Sequence, residues 1–424
     1  MSTALRGRLE APETPPATLR QVLADLEAAP LLNGAIGFLF AASGPVAVIL
    51  AAGAQGGLSA EALASWMFGV FVVNGLITIG LSCLYRTPLV CFWTIPGAVL
   101  VGATLTHATL AEVVGAYLVT GALMAVLGLS GWVRDGLARV PMPIVMGMVA
   151  GVFLRFGLDL VRAVHLDPGV AGPMVLAFAA ASAWPALGRR LPPVFAALIA
   201  GALALSLAGD FQWPAHATLT LTRPQWVMPV WSSAVLLELV VPLAITVLVV
   251  QNGQGFAVLR AAGHRPPVNA VTLACGLGSM AVACLGAVST CLTGPTNALV
   301  TASGTRSRQY TGAVFVGVLA MGFGLLASGV VAVMLALPRS FIAALAGLAM
   351  LRVLQAAFTQ AFRERFALGA LCSLLVTVAD LPVAGIGAPF WGLVVGVAAS
   401  WVFERADFQA APGASPTAGA TRSR

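Results

Sequence analysis

Charge is scarce in this chain. Only 9% of its 424 residues are Asp, Glu, Lys or Arg, whereas soluble domains average about 25%, so a soluble globular fold is excluded. Lysine is missing altogether, and all 22 basic side chains are arginines. The six cysteines (Cys83, Cys91, Cys275, Cys284, Cys291 and Cys372) form no CxxC and have no histidine pair beside them, which argues against both disulfides and a metal site. HExxH and GxSxG are absent, so an intramembrane enzyme would lack its nucleophile, base or metal cluster; neither catalysis nor a cofactor is expected. The N-terminus has no basic, apolar, small-residue cleavage pattern, and no signal peptide is expected.

Apolar sequence is abundant instead, at 59% hydrophobic residues. Fourteen apolar segments can be marked off by Gly, Pro, charge or turn residues, near 31–50, 61–83, 88–105, 111–130, 141–161, 171–187, 192–208, 233–259, 269–287, 289–303, 311–336, 340–360, 366–380 and 386–403. With the N-terminus inside, Arg162, Arg223 and Arg339 fall outside, Arg155 and Arg352 fall within segments, and every other arginine is cytoplasmic. That bias is the positive-inside rule. It predicts a multi-pass protein with both termini cytoplasmic, and it accounts for the net charge of +7 without a nucleic-acid partner. Ahead of the first segment, Leu19, Val22, Leu23 and Leu26 share a helical face opposite Arg20, Asp25 and Glu27, as in a helix lying on the membrane surface. The Pro-, Gly-, Ala- and Ser-rich C-terminal stretch, within 404–424, reads as a disordered cytoplasmic tail.

The chain repeats itself. Thr94-Ile95-Pro96 and Thr293-Gly294-Pro295 lie 199 residues apart, and Pro141 and Arg155 match Pro338 and Arg352 at 197. Pro193 to Ala200 resembles Pro389 to Gly396 at 196. Each repeat holds seven segments, an odd number, so the second must start on the opposite face and the halves are inverted.

Both Thr-x-Pro sites interrupt segments too short to cross as simple helices. Residues 289–303 would span about 22 Å as a helix, but about 33 Å if Ser289 to Gly294 are extended and the rest helical. The third segment can be built alike, extended from Pro88 to Thr94. Inversion then points the N-termini of two half-helices at the middle of the bilayer, where unpaired amides favour an anion. Thr94, Pro96, Gly97, Thr293, Gly294, Pro295, Thr296 and Asn297 gather at that point, with Phe92 and Trp93 near for an aromatic ring. No Asp or Glu occurs in either break. A plain proline kink packed by neighbours is the alternative. The amides Gln251, Asn252 and Gln254 line the same cavity or cap the inner end of segment 8.

Of the charged groups inside segments, Glu238 is the candidate proton carrier, because desolvation favours a neutral carboxyl, and a structural pairing is the alternative reading. Arg155 stands four residues before Asp159, the spacing of an ion pair on one helix. Arg352 has no such partner and either faces another subunit or attracts anions. Asp380 ends its segment and carries little functional weight, and no role is assigned to His107, His165, His216 or His264.

Gln251-Asn252-Gly253-Gln254-Gly255-Phe256-Ala257-Val258-Leu259-Arg260, Pro266-Pro267-Val268-Asn269 and Leu292-Thr293-Gly294-Pro295-Thr296-Asn297-Ala298 resemble the benzoate:proton symporter family of bacterial inner-membrane proteins. Ser65-Trp66, Thr94-Ile95-Pro96-Gly97 and Gly387-Ala388-Pro389-Phe390-Trp391-Gly392 fit it as well, over roughly 25–403. The resemblance implies an all-α polytopic fold of seven plus seven inverted segments, uracil-permease-like and related to the nucleobase and sulfate-type anion transporters. It implies a core domain (31–130 and 233–336, segments 1–4 and 8–11) moving against a gate domain (131–232 and 337–403, segments 5–7 and 12–14), with 1–30 as a cytoplasmic N-terminal segment. It implies import of benzoate or a related aromatic carboxylate with protons, and it is compatible with a homodimer. Where nucleobase symporters carry ring-binding acids in segments 8 and 10, this chain has Gln251 and Thr296 or Asn297, which suits a carboxylate ligand. A nucleobase or small inorganic anion carrier is the alternative within the fold.

Overall fold

The computed structural model describes residues 9–133, 141–184, 191, 193–208, 220–302, 304–363, 365–381, 383 and 388–409. Segment 1 is the broken helix Ala28–Ala42 and Gly44–Gln55. Segment 2 runs Ala60–Tyr85 through a π-helical stretch at Gly69–Val73. Segments 4 to 7 are the helices Leu110–Ser130, Met142–Leu166, Pro168–Ala183 and Pro193–Ala208. Segment 8 runs Ser233–Ala261 with a π-helical stretch at Thr246–Asn252, and segment 9 is Val268–Ala283. Segment 11 divides into Gln309–Leu325 and Ala327–Leu335; Arg306–Leu325 and the second piece are bent by 66°. Segments 12 to 14 are Arg339–Ala361, Ala367–Ala379 and Ala388–Phe403.

Among the described residues, six helices are long and apolar enough to cross a membrane, or seven if the bent pair is one span, and several others are apolar but only 10–17 residues long. Segments 3 and 10 are composite. Strand β1 (Cys91–Trp93) leads into the helix Ile95–Thr104, and strand β2 (Thr290–Leu292) leads into Gly294–Val300.

Packing gathers the elements into two groups. Segment 4 lies along 8 and 9, and segment 11 along 1 and 2; segment 5 lies along 12 and 13, 6 along 7, and 13 along 14. The groups meet where segment 1 touches segment 12. At that crossing Gly44 leaves no room, since a Cβ there would stand 2.2 Å from the Ala349 Cβ. Residues 220–232 cross one end of the first group, held by Thr222 N to Leu325 O, Val227 N to Cys284 O and Val230 N to Ala111 O. The N-terminal segment ties to the other end, called here the N face, where Asp25 accepts from the Tyr310 hydroxyl at 2.7 Å.

Two expectations need correction. Arg155 pairs with Asp380 at the end of segment 13, while Asp159 takes Arg162, one turn further on, at 2.9 Å. Residues Arg405–Gln409 are helical rather than disordered, because Glu404 and Asp407 accept from the amides of Leu368, Gly369 and Phe366 at the start of segment 13; 410–424 lie outside the described residues. The N-terminal helix Leu19–Ala24 buries Val22 against the protein and exposes Leu19 and Leu23.

Candidate substrate site

A two-stranded ribbon in an apolar layer has two open edges, and every amide on them needs a partner. β1 and β2 are antiparallel, with Cys91 opposite Leu292, Phe92 opposite Cys291 and Trp93 opposite Thr290. Thr94 N to Ser289 O and Thr293 N to Val90 O, each 3.1 Å, extend the ladder. Side chains close the edges. Thr78 Oγ1 accepts from Cys91 N at 2.9 Å and donates to Cys91 O. Ser279 Oγ accepts from Thr290 N at 2.9 Å, and Asn252 Oδ1 from Leu292 N at 2.7 Å. Asn297 Oδ1 accepts from Val90 N, while its Nδ2 donates to Val90 O and Thr293 O.

Thr94 and Thr293 are the N-caps of the two half-helices, accepting from Gly97 N and Thr296 N at 3.2 Å each. Antiparallel pairing sends the half-helices apart from the ribbon with their N-termini toward it, so both positive dipole ends face the ribbon. Thr94 also donates to Thr246 in the π-helical stretch of segment 8.

A cavity of about 900 Å³ reaches this point from the N face. Pro96, Gln251, Gln254 and Pro295 line it, together with Ser43 at the break in segment 1 and the rings of Phe40, Phe153, Phe178 and Phe195. Gln254 lies directly over Gly294, where a Cβ would stand 2.5 Å from its Cγ, so glycine at 294 is what lets the amide sit on the half-helix. Among the described residues lining the cavity, Arg352 is the only charged one, and its guanidinium donates to Gln355 at 3.1 Å. Sequence reasoning left Arg352 between two roles; its lack of an acid one turn away was the available signal.

The remaining candidates stand behind the lining. Thr94, Gly97, Asn252, Thr293, Gly294, Thr296 and Asn297 build the ribbon, the caps and the close approach. Phe92 and Trp93 pack on Phe71, with ring centroids 5.6 and 5.0 Å away, rather than facing the cavity.

Glu238 is elsewhere. It is buried, accepts the Thr104 hydroxyl, and lies 3.0 Å from His107 Nε2. Both groups border a cavity of about 130 Å³ at the distal end, together with Gln55 and the Arg155–Asp380 pair. An adjoining cavity of about 580 Å³ shares Gln55, Arg155 and Asp380 and adds Asp159 and Arg162. The two form a charged distal vestibule. His107, given no role by sequence, is the partner that Glu238 lacks among its sequence neighbours.

Two strand-interrupted helices meeting at a buried ribbon, with a cavity reaching them from one face and a charged vestibule at the other, are the framework of a membrane transporter. The chain belongs to the benzoate membrane transport protein (BenE) family, whose profile matches residues 24–402. It is 30% identical over 372 residues to the inner membrane protein YdcO of Escherichia coli (strain K12), covering 86% of this chain and 93% of that one. It is 28% identical over 392 residues to the benzoate membrane transport protein of Acinetobacter baylyi (strain ATCC 33305 / BD413 / ADP1), covering 91% and 97%. Among solved structures, the transmembrane domain of the cyanobacterium bicarbonate transporter BicA superposes with a TM-score of 0.60 at 17% identity, over 88% of this chain and 98% of that chain. SLC26A9 gives 0.61 at 15% identity, over 91% and 67%. At such identities the likeness establishes the fold: a mostly helical, polytopic membrane protein.

Proposed function

We propose that this protein imports benzoate or a related aromatic carboxylate together with protons, by alternating access across a bacterial inner membrane. The N-face cavity carries the reading. It is large enough for a substituted ring, lined by four phenylalanines, and among its described lining residues only Arg352 is charged. An inorganic anion gains little from such walls, whereas an aromatic acid can bury its ring there and set its carboxylate between Arg352, the Gln251 and Gln254 amides and the half-helix N-termini.

The rest of the reading follows from the same arrangement. The fourteen segments cross as two inverted sets of seven, with both termini and the N face cytoplasmic, an orientation that the arginine bias supports. The described form is then open to the cytoplasm. Segments 1–4 and 8–11 are the moving core and 5–7 and 12–14 the gate, with Gly44 against Ala349 as one contact between them. Glu238, reached from the distal vestibule through His107, takes up the coupled proton. Co-transport of a proton removes the opposition of an inside-negative potential, about 2.3 kcal/mol per charge per 100 mV. A homodimer belongs to the same reading.

Labelled benzoate uptake into proteoliposomes, with and without an inward proton gradient, tests it. Saturable, gradient-driven uptake competed by substituted benzoates but not by uracil, sulfate or bicarbonate is expected. No benzoate binding, or competition by an inorganic anion alone, would overturn the substrate assignment.

A further inference from the structure

A second cavity lies on the N face, away from the substrate path. It has a volume of about 970 Å³ and is framed by the N-terminal segment, the end of segment 2, the connection between segments 8 and 9, and the start of segment 11. Four arginines border it, Arg86, Arg260, Arg265 and Arg306, each from a loop or segment end. The acids that border it are engaged. Glu10 accepts from the amides of Asn269 and Ala270 at 3.1 Å, Asp25 accepts from Tyr310, and Glu13 is 3.7 Å from Arg265. The guanidinium groups of Arg86, Arg260 and Arg306 make no ion pair or hydrogen bond with a described residue.

The backbone holds these cations in place. Arg86 ends segment 2 in a left-handed conformation, φ 47°, with its Nε buried and without a partner. Gly263, φ 84°, lets the Arg306 guanidinium lie against the 8–9 connection, where a Cβ would stand 2.9 Å from Nη1. Three guanidinium forks without a paired carboxylate thus border one cavity, from the end of segment 2, the last turn of segment 8 and the turn before segment 11. Guanidinium forks match phosphate oxygens in paired hydrogen bonds. Beside the cavity, the helix Leu19–Ala24 exposes Leu19 and Leu23 at 75% and 60%, as a helix resting among lipid headgroups does.

From this convergence we infer that Arg86, Arg260 and Arg306 form a binding site for a phosphate-bearing anion on the N face, separate from the substrate cavity. The phosphate comes either from an anionic lipid headgroup, at the depth the neighbouring helix marks, or from a soluble phosphate compound.

The test uses the full chain in nanodiscs, with thermal unfolding as the readout. One arm compares phosphatidylcholine discs with discs containing increasing phosphatidylglycerol; the other titrates inorganic pyrophosphate into phosphatidylcholine discs. The double variant Arg260→Gln/Arg306→Gln leaves the Arg86 cap intact, and Arg162→Gln at the distal end serves as a charge control. A lipid site predicts stabilisation by phosphatidylglycerol only, half-saturating at roughly 10- to 30-fold higher content in the double variant. A soluble-phosphate site predicts the same behaviour toward pyrophosphate. If neither anion stabilises the wild type, if the double variant responds as the wild type does, or if Arg162→Gln loses as much as the double variant, the inference is overturned.

Discussion

Arg155 and Arg352 stand 197 residues apart at matching positions of the two repeats, yet their surroundings are opposite. Arg155 borders the distal vestibule and is neutralised by Asp380. Arg352 borders the N-face cavity, where a neutral amide, Gln355, is its hydrogen-bond partner. The counterpart of Asp380 in the first repeat falls within Ala181-Ser182-Ala183-Trp184, which contains no acid. One scaffold position therefore supplies a closed ion pair at one end and an open cation at the other. A cation in an apolar cavity is costly unless something compensates it, and an incoming carboxylate would do so. The distal end also holds the buried Glu238, and the N-face cavity holds no acid among its described lining residues. On the proposed reading the two ends divide a symport between them: anion at the open cation, proton at the buried acid.

The sharpest break of that separation is Glu238→Gln. His107, Arg155 and Asp380 are the charged or titratable groups that border the same small cavity, so the amide removes its buried proton acceptor. Gradient-driven accumulation of benzoate should be abolished while benzoate exchange persists. Unchanged accumulation in proteoliposomes would remove Glu238 from the coupling path. Next in size, Arg352→Gln should raise the half-saturating benzoate concentration roughly 10- to 100-fold, the worth of a hydrogen bond to a charged group. Arg155→Gln should leave that concentration within a few-fold of wild type. If both variants raise it equally, the two arginines are not distinguished by their partners and the comparison collapses.

The strand-then-helix construction was legible because Thr-x-Pro is a local signal: a capping hydroxyl, a proline in the first turn, and a segment too short to be all helix. The repeat offset was legible for the same reason. What the sequence hid were partnerships across long separations. His107 meets Glu238 from 131 residues away, and Asp380 takes Arg155 although Asp159 is the nearer acid in sequence. The ribbon's edges were equally silent: Thr78 and Ser279 look like ordinary small polar residues of a helix until the strands they satisfy are in place. Phe92 and Trp93 were read as near the site from chain proximity alone, but Phe71 takes both rings.

A smaller effect tests how tightly the N-face lining is built. Gly294→Ala would bring a Cβ to 2.5 Å from Gln254 Cγ, forcing the amide off the half-helix. Overpacking of this kind costs about 1–3 kcal/mol. The variant should lower the thermal unfolding midpoint and weaken benzoate binding, and Gly294→Ala combined with Gln254→Ala should recover the midpoint but not the binding. Recovery of both would mean that Gln254 does not touch substrate.

The smallest effect concerns acid and the fold itself, and it sharpens the comparison by locating a second titration at the N face. His264, buried in the connection between segments 8 and 9, sits 2.7 Å from Gln309. Burial holds its imidazole below the ordinary value of 6.5; the Gln309 bond favours the charged form, and the nearby Arg306 disfavours it again. The unfolded chain therefore binds more protons than the folded one between the depressed value and 6.5, so stability rises with pH across that window. The contribution is fully present above about 6.5 and is lost as pH falls through the folded value. Unfolding midpoints in detergent should drop between pH 7.5 and pH 5, and His264→Gln should flatten part of that slope without altering the pH dependence of benzoate uptake. Should His264→Gln change the uptake profile instead, the proton that matters for transport would enter from the N face, and the division of labour between the two ends would be wrong.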